Sequence, residues 1–177
     1  VKGMLYSEKF GDYHKADEIF SDAVNLTLPN FSIENMEEYL MGEDEIIIIL
    51  LYLRNKEQFD RNYLVEYGKT ILGYINKRFQ DDEIKCNLYG RVAWIIGDSF
   101  IKNDKYKEAL AITLEAEDML TDNGLLLNIT QILDRILFLS ENRQAAIYDD
   151  FKKMRDALKD LYEEYGIKWE TEKISLI

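Results

Sequence analysis

The sequence predicts an all-α protein of stacked antiparallel helix hairpins, and three observations carry that expectation. Apolar residues recur at helical spacing along almost all of the 177 residues. The joints between the periodic stretches are only a few residues long, which forces consecutive helices to run antiparallel. Small and aromatic residues also return at matching offsets in two of the hairpins, as a tandem repeat would have them.

A short first helix is expected over Lys2 to Phe10 and a second from Asp12 to about Leu26, before Pro29 denies the chain another turn. Ser32 suits the cap of a short helix through Met41. Glu43 to Asn55 follows, then a long helix from Gln58 to Phe79. Asp81-Asp82 put negative charge at the start of a helix reaching Lys102, where the helix dipole favours it. Asn103-Asp104 make a turn, Tyr106 to Leu120 is helical, and Asp122-Asn123-Gly124 turn again. Leu125 to Ser140 and Gln144 to Tyr165 complete the set, with Gly166 suited to the left-handed stop at a helix end.

Two stretches need a decision. Ile46 to Leu53 contains four consecutive isoleucines, which would suit a buried strand, yet no second strand-like run exists to pair with it. A helix buried on most sides is therefore expected. Gly68 and Gly73 interrupt the long helix at a cost of about 1 kcal/mol each against alanine in an exposed position. Close helix packing is the expected reason, and a hinge is the alternative.

An apolar fraction of 47% is enough for a core, and a single proline with no Gly- or Ser-rich stretch leaves no linker, so 1–177 is read as one helical repeat domain. The net charge of -12 opposes direct contact with nucleic acid, and no basic amphipathic face is available for anionic membranes. The longest apolar run falls far short of the ~20 residues that span a bilayer. Cys86 stands alone, which rules out an internal disulfide and fits a reducing compartment. With no signal peptide at the start, a cytoplasmic location is expected. Val1 and the closing Ser175-Leu176-Ile177 look like cut ends, so a fragment of something longer is expected.

In the first repeat Gly11-Asp12-Tyr13 precedes Ala16, Phe20 and Ala23. In the second Lys105-Tyr106 precedes Ala109 and Ala116, with Gly97 and Phe100 earlier on the preceding helix. These residues resemble the tetratricopeptide pattern, in which small residues let two helices approach and aromatics fill the space toward the next pair. The resemblance covers about 60 residues well and implies an α-α superhelix. Trp94 falls one place off the usual tryptophan position, and Thr113 replaces the usual aromatic.

In such a solenoid the first helix of each pair lines a concave face that takes an extended peptide. Asn87, Arg91, Trp94 and Asp98 are spaced four, three and four apart and so form one stripe. Arg91 and Asn87 could bond a peptide backbone, and Trp94 could hold an apolar side chain. Asn128, Gln131 and Arg135 make a similar stripe on the next first helix. Either stripe could equally be the solvated face of an amphipathic helix. On the last helix Ile147, Phe151, Met154, Leu158, Leu161 and Tyr165 alternate steps of four and three, as a coiled-coil seam does. That seam either packs on the preceding hairpin or joins two copies as a homodimer.

Catalysis has little to draw on. His14 is the one histidine and is expected to be exposed, far in sequence from Cys86. No phosphate loop, HExxH or Cys-x-x-Cys occurs. Glu37-Glu38, Asp149-Asp150 and Glu163-Glu164 are adjacent pairs, which point about 100° apart on a helix and do not converge on a metal. No catalytic residue, metal site or cofactor is expected, and the chain is read as a non-enzyme.

The degenerate repeats, the acidic Tyr-rich composition and the segment Lys159-Asp160-Leu161-Tyr162-Glu163-Glu164-Tyr165-Gly166 resemble the C-terminal helical domains of helix-turn-helix regulators of Gram-positive bacteria, the peptide-sensing Rgg/PlcR-like group. The resemblance implies a regulatory module that binds a signalling peptide in its groove and dimerises. DNA would be bound only through a separate basic domain preceding Val1. A free-standing scaffold for another protein's tail is the alternative.

Overall fold

The computed structural model describes residues 2–125, 129–141 and 145–167, with the backbone alone for 145–147. The described residues are all-α: they hold no strand, and none of their helices is long and apolar enough to cross a membrane. They fall into two compact units, Val1–Arg78 and Phe79–Ile177, where the sequence suggests one continuous array.

In the first unit, α1 (Lys2–Met4) runs into a π-helical turn, Leu5–Lys9. The wider turn is closed by the Phe10 amide donating to the Leu5 carbonyl at 3.3 Å. Gly11 then takes a left-handed φ of 64°, and the Asp12 carboxylate accepts from the Lys15 amide at 3.0 Å, so α2 (Tyr13–Thr27) begins one residue later than expected. Beyond Pro29 the expected short helix is a 3-10 segment, Ile33–Glu38, held at its start by the Ser32 amide donating to Asn35 Oδ1 at 2.8 Å. The isoleucine run is helical within α3 (Glu43–Lys56), which buries Ile46, Ile49, Leu50 and Leu53.

The last helix of this unit, α4 (Tyr63–Arg78), starts five residues after the expected Gln58. Asp60 is the reason: its carboxylate accepts from the Asn62 amide at 3.0 Å, a local turn that competes with the helix ladder. Tyr74 then ties α4 to the chain after the 3-10 segment. Its hydroxyl donates to the Tyr39 carbonyl and accepts from the Met41 amide, each at 2.9 Å. The core between α2, α3 and α4 holds Ala16, Phe20, Ile46, Leu50, Leu64 and Ile71.

The second unit opens with α5 (Asp82–Lys102), capped by Asp81 accepting from the Ile84 amide at 3.0 Å. A turn with Asp104 at a φ of 58° leads to α6 (Tyr106–Asp122). Here small residues decide the geometry. Ala109, Thr113 and Ala116 are fully buried on α6. A β-carbon on Gly97 would sit 3.4 Å from Thr113 Cγ2, and one on Gly90 would sit 3.1 Å from Leu120 Cδ1. These pairings run in opposite order along the two helices, so α5 and α6 are antiparallel and closely nested. Thr113 fits where an aromatic was usual because its hydroxyl donates back to the Ala109 carbonyl at 2.9 Å and hides its polarity. Helices α7 (Thr130–Ser140) and α8 (Ala145–Glu164) follow, each packing on the one before. Leu125 is not helical, so α7 starts later than expected.

Gly73 is exposed, and a β-carbon there meets nothing within 4 Å, so close packing does not explain it. Gly73→Ala should therefore stabilise the protein by about 0.5–1 kcal/mol, since alanine restricts the unfolded chain and clashes with nothing. Gly90→Leu should cost about 1–3 kcal/mol by overfilling the α5–α6 contact. Urea unfolding midpoints measure both, and a stabilised Gly90→Leu would refute the close approach.

A second outcome concerns Glu117, buried on α6, where the Thr121 hydroxyl donates to it at 2.8 Å. Burial pushes its carboxyl above the usual carboxylate range; the Thr121 bond opposes this, and Asp118 and Asp122 add to it. The folded state therefore holds this proton more tightly than the unfolded chain. That contribution grows as pH falls through the raised value and is lost as pH rises through it. Glu117→Gln should raise the melting temperature at pH 7, with the gain shrinking toward pH 4. A gain independent of pH would show that the carboxylate is not penalised by burial.

Candidate functional site

The polar stripe of α5 meets α7 at Arg135. Arg135 Nε donates to Asp98 Oδ1 and Nη2 to Asp98 Oδ2, both at 2.7 Å, a two-pronged pair across 37 residues of sequence. The Arg135 side chain is 2% exposed and that of Asp98 is 28% exposed, so the pair reaches from the interior to the surface. The guanidinium carbon also lies 5.0 Å from the centre of the Trp94 ring, one turn before Asp98. A cation over the indole face is attracted by the ring quadrupole, more strongly where water is excluded. Arg135 is thus held by Asp98 on one side and Trp94 on another, and in return it fixes the half-buried indole as a rigid wall. Trp94 Nε1 is shut off from solvent and donates to no acceptor among the described residues.

Around this block the remaining expected residues differ in freedom. Arg91 is exposed and forms no ion pair with a carboxylate among the described residues, while Asn87 and Gln131 are half-buried. Arg91 stands one turn before Trp94 on α5, and Gln131 stands one turn before Arg135 on α7. Asn128 lies outside the described residues. The structure therefore brings Trp94, Asp98 and Arg135 into one cluster, with Arg91 and Gln131 beside it.

The expected seam of α8 is divided by the structure. Leu158 is buried, Phe151 and Met154 are half-buried, and Leu161 and Tyr165 are exposed. The Ile147 side chain lies outside the described residues. Tyr162, which the spacing rule left out of the seam, is buried four residues after Leu158, and Arg155 reaches toward Asp134 of α7 at 4.0 Å. The buried stripe is displaced one position from the expected one toward its C-terminal end.

The nucleophile candidates are poorly placed. Burial pushes the Cys86 thiol above its usual range, which disfavours the reactive thiolate, and the Asn123 amide donates to its sulfur at 3.2 Å. His14 is exposed, with its ring centre 4.8 Å from that of Phe59. Among the described residues no group of three or more His, Cys, Asp or Glu is arranged to hold a metal ion.

Sequence reasoning missed a polar cluster in the first unit. Lys56 Nζ donates to Asp17 Oδ2 at 2.8 Å and stands 5.1 Å from the centre of the Tyr52 ring. Beside it the buried Asn55 amide donates to the Tyr13 carbonyl at 3.0 Å. Asn55 was expected only as the end of its helix, and spacing along one helix does not show that it meets α2.

No family model matches the chain, and no solved structure matches it. A ferrochelatase of Campylobacter jejuni subsp. doylei is 25% identical over 159 residues, covering 89% of this chain and 48% of that protein. The chain thus spans about half the length of the curated relative it matches. This similarity corrects the expectation of a non-enzyme: the lack of a familiar catalytic motif does not exclude catalysis when the matched protein is an enzyme.

Arg135→Ala should destabilise the fold by about 3 kcal/mol, because it strips Asp98 and the Trp94 face of a buried partner. Thermal and urea unfolding give the number. A loss no greater than that of an exposed arginine would mean the cluster does not organise this face.

Proposed function

We propose that the chain is a ligand-binding regulatory module that holds an extended peptide across the face shared by α5 and α7. The observation that carries this reading is the Trp94–Arg135–Asp98 block. A half-exposed indole fixed in one orientation is pre-organised, so its contact with an apolar side chain would carry little ordering cost. Arg91, one turn away and exposed, supplies donors for a peptide carbonyl or carboxylate. Asn87 and Gln131 border the same face and add amide groups for a peptide backbone. The resemblance to helix-turn-helix regulators supports a place in transcriptional control within the cytoplasm, with α8 as the element that joins two copies through Leu161 and Tyr165. A scaffold for another protein's tail would use the same face.

A second reading is favoured by the similarity to ferrochelatase, namely that the chain is part of an enzyme. Ferrochelatase activity of the protein tests it directly.

Screening a library of extended peptides by calorimetry should find saturable binding. Arg91→Ala should weaken it roughly tenfold, the loss of one charge-assisted contact, and leave the thermal melt unchanged. Binding that survives both Arg91→Ala and Trp94→Ala at full affinity would remove this face from the site.

A further inference from the structure

The polar cluster of the first unit has acceptors without donors. Asn55 is 2% exposed, and its Oδ1 accepts no hydrogen bond among the described residues. Its amide cannot be turned over to cure this. Nδ2 is held by the Tyr13 carbonyl at 3.0 Å, and a flip would set two oxygens against each other. Asp17 Oδ1 is likewise shut off from solvent and unpartnered, while Oδ2 takes the single bond from Lys56. Asn55 meets the Tyr13 carbonyl and its neighbour Lys56 meets Asp17 one helical turn further along α2, so the two orphan oxygens belong to adjoining contacts. A desolvated carboxylate oxygen and a buried amide oxygen each carry a penalty until a donor arrives.

Lys56 is poorly matched to that demand. Its ammonium meets one oxygen of Asp17 and reaches over the Tyr52 ring at 5.1 Å. The two side chains of the pair are 26% and 24% exposed, so the contact is half-buried, with Lys56 partly in water and Asp17 Oδ1 behind it. A lysine stem is flexible and its head strongly hydrated, so leaving exchanges its contacts with Asp17 and Tyr52 for water. A guanidinium would do what Lys56 does not. It offers five donors in a planar fork, enough to take both oxygens of a carboxylate and a third acceptor, and it stacks on an aromatic face.

We propose that Asp17, Asn55 and Tyr52 form a binding site for an arginine side chain of a partner protein, and that Lys56 is an internal stand-in which that arginine displaces. The net charge of -12 favours approach of a basic partner. The partner's arginine bonds Asp17 through its fork, gives a further N–H to Asn55 Oδ1, and lies against Tyr52. Lys56 swings into solvent. Because the stand-in occupies the site in the free protein, apparent affinity is reduced by the fraction of time it is bound.

The test is a titration of the full chain with the capped tripeptide acetyl-Gly-Arg-Gly-amide, followed by nuclear magnetic resonance of the Asn55 side-chain amide. Lys56→Ala should bind roughly tenfold more tightly than the parent, as expected when a largely occupied site is vacated. Lys56→Met, which keeps the apolar stem, serves if the alanine variant melts early. Asp17→Asn added to either should abolish binding. The citrulline tripeptide, isosteric but uncharged, should not bind, and the lysine tripeptide should bind several-fold more weakly. No saturable shift with a folded Lys56 variant would overturn the proposal and assign the two oxygens to an internal water. Equal affinity for arginine and lysine peptides would overturn it too, leaving only general attraction of cations to an acidic chain.

Discussion

The second unit depends on how closely α5 can approach α6. Gly90 and Gly97 remove the side chains that would hold the helices apart, and Leu120 and Thr113 of α6 close against them, with Ala109 and Ala116 buried on the same helix. The close approach has a consequence beyond its own contact. It fixes the rotation of α5 about its axis, and that rotation decides where the neighbouring stripe points. With Gly90 and Gly97 turned to α6, Trp94 and Asp98 are carried round toward α7, where Arg135 meets them. The polar cluster is therefore an effect of small residues that are themselves chemically silent.

Arg135 then explains a feature that burial alone would forbid. A guanidinium 2% exposed would be very costly unless its charge were matched. The match is two hydrogen bonds of 2.7 Å to Asp98 and the Trp94 ring behind them. Such a pair adds less to net stability than its short distances suggest, since Arg135 is desolvated and Asp98 partly so. What it adds is a single allowed arrangement of α5 against α7. An apolar pair of equal size could slide or repack, whereas a two-pronged pair cannot.

The helices were legible from periodicity, because a 3.6-residue rhythm is written in every amphipathic helix. The nesting of α5 and α6 was legible too, through Gly97, Ala109 and Ala116. The ends were harder: Asp60 bonding the Asn62 amide delays α4, and a six-residue segment after Pro29 closes as a 3-10 turn. In the candidate site, the spacing rule placed Asn87, Arg91, Trp94 and Asp98 on one stripe but could not say which would be consumed by a neighbour. That Arg135 would bind Asp98 depends on the register between two helices, which single-helix spacing does not contain. The same limit shifted the α8 stripe from Leu161 to Tyr162, since the two differ by 100° and both are amphipathic. Gly73 misled for a different reason: a glycine without neighbours leaves no mark in the sequence that separates it from one that packs.

The two charged clusters use the same kind of pair to opposite ends, and the side chains chosen show why. Arg135 joins both carboxylate oxygens of Asp98 at once, so neither oxygen is left without a donor. Lys56 satisfies one oxygen of Asp17 and leaves the other bare, beside a buried amide oxygen that is equally bare. A planar fork closes its site, while a point charge on a flexible stem only occupies it. Exposure follows the same division: Arg135 is sealed in, and Lys56 remains open to water on one side. A complete pair acts on its face indirectly, by holding Trp94 in one place. A pair that is incomplete and reachable keeps part of its binding energy for a ligand able to supply the missing donors, and that difference separates a strut from a site.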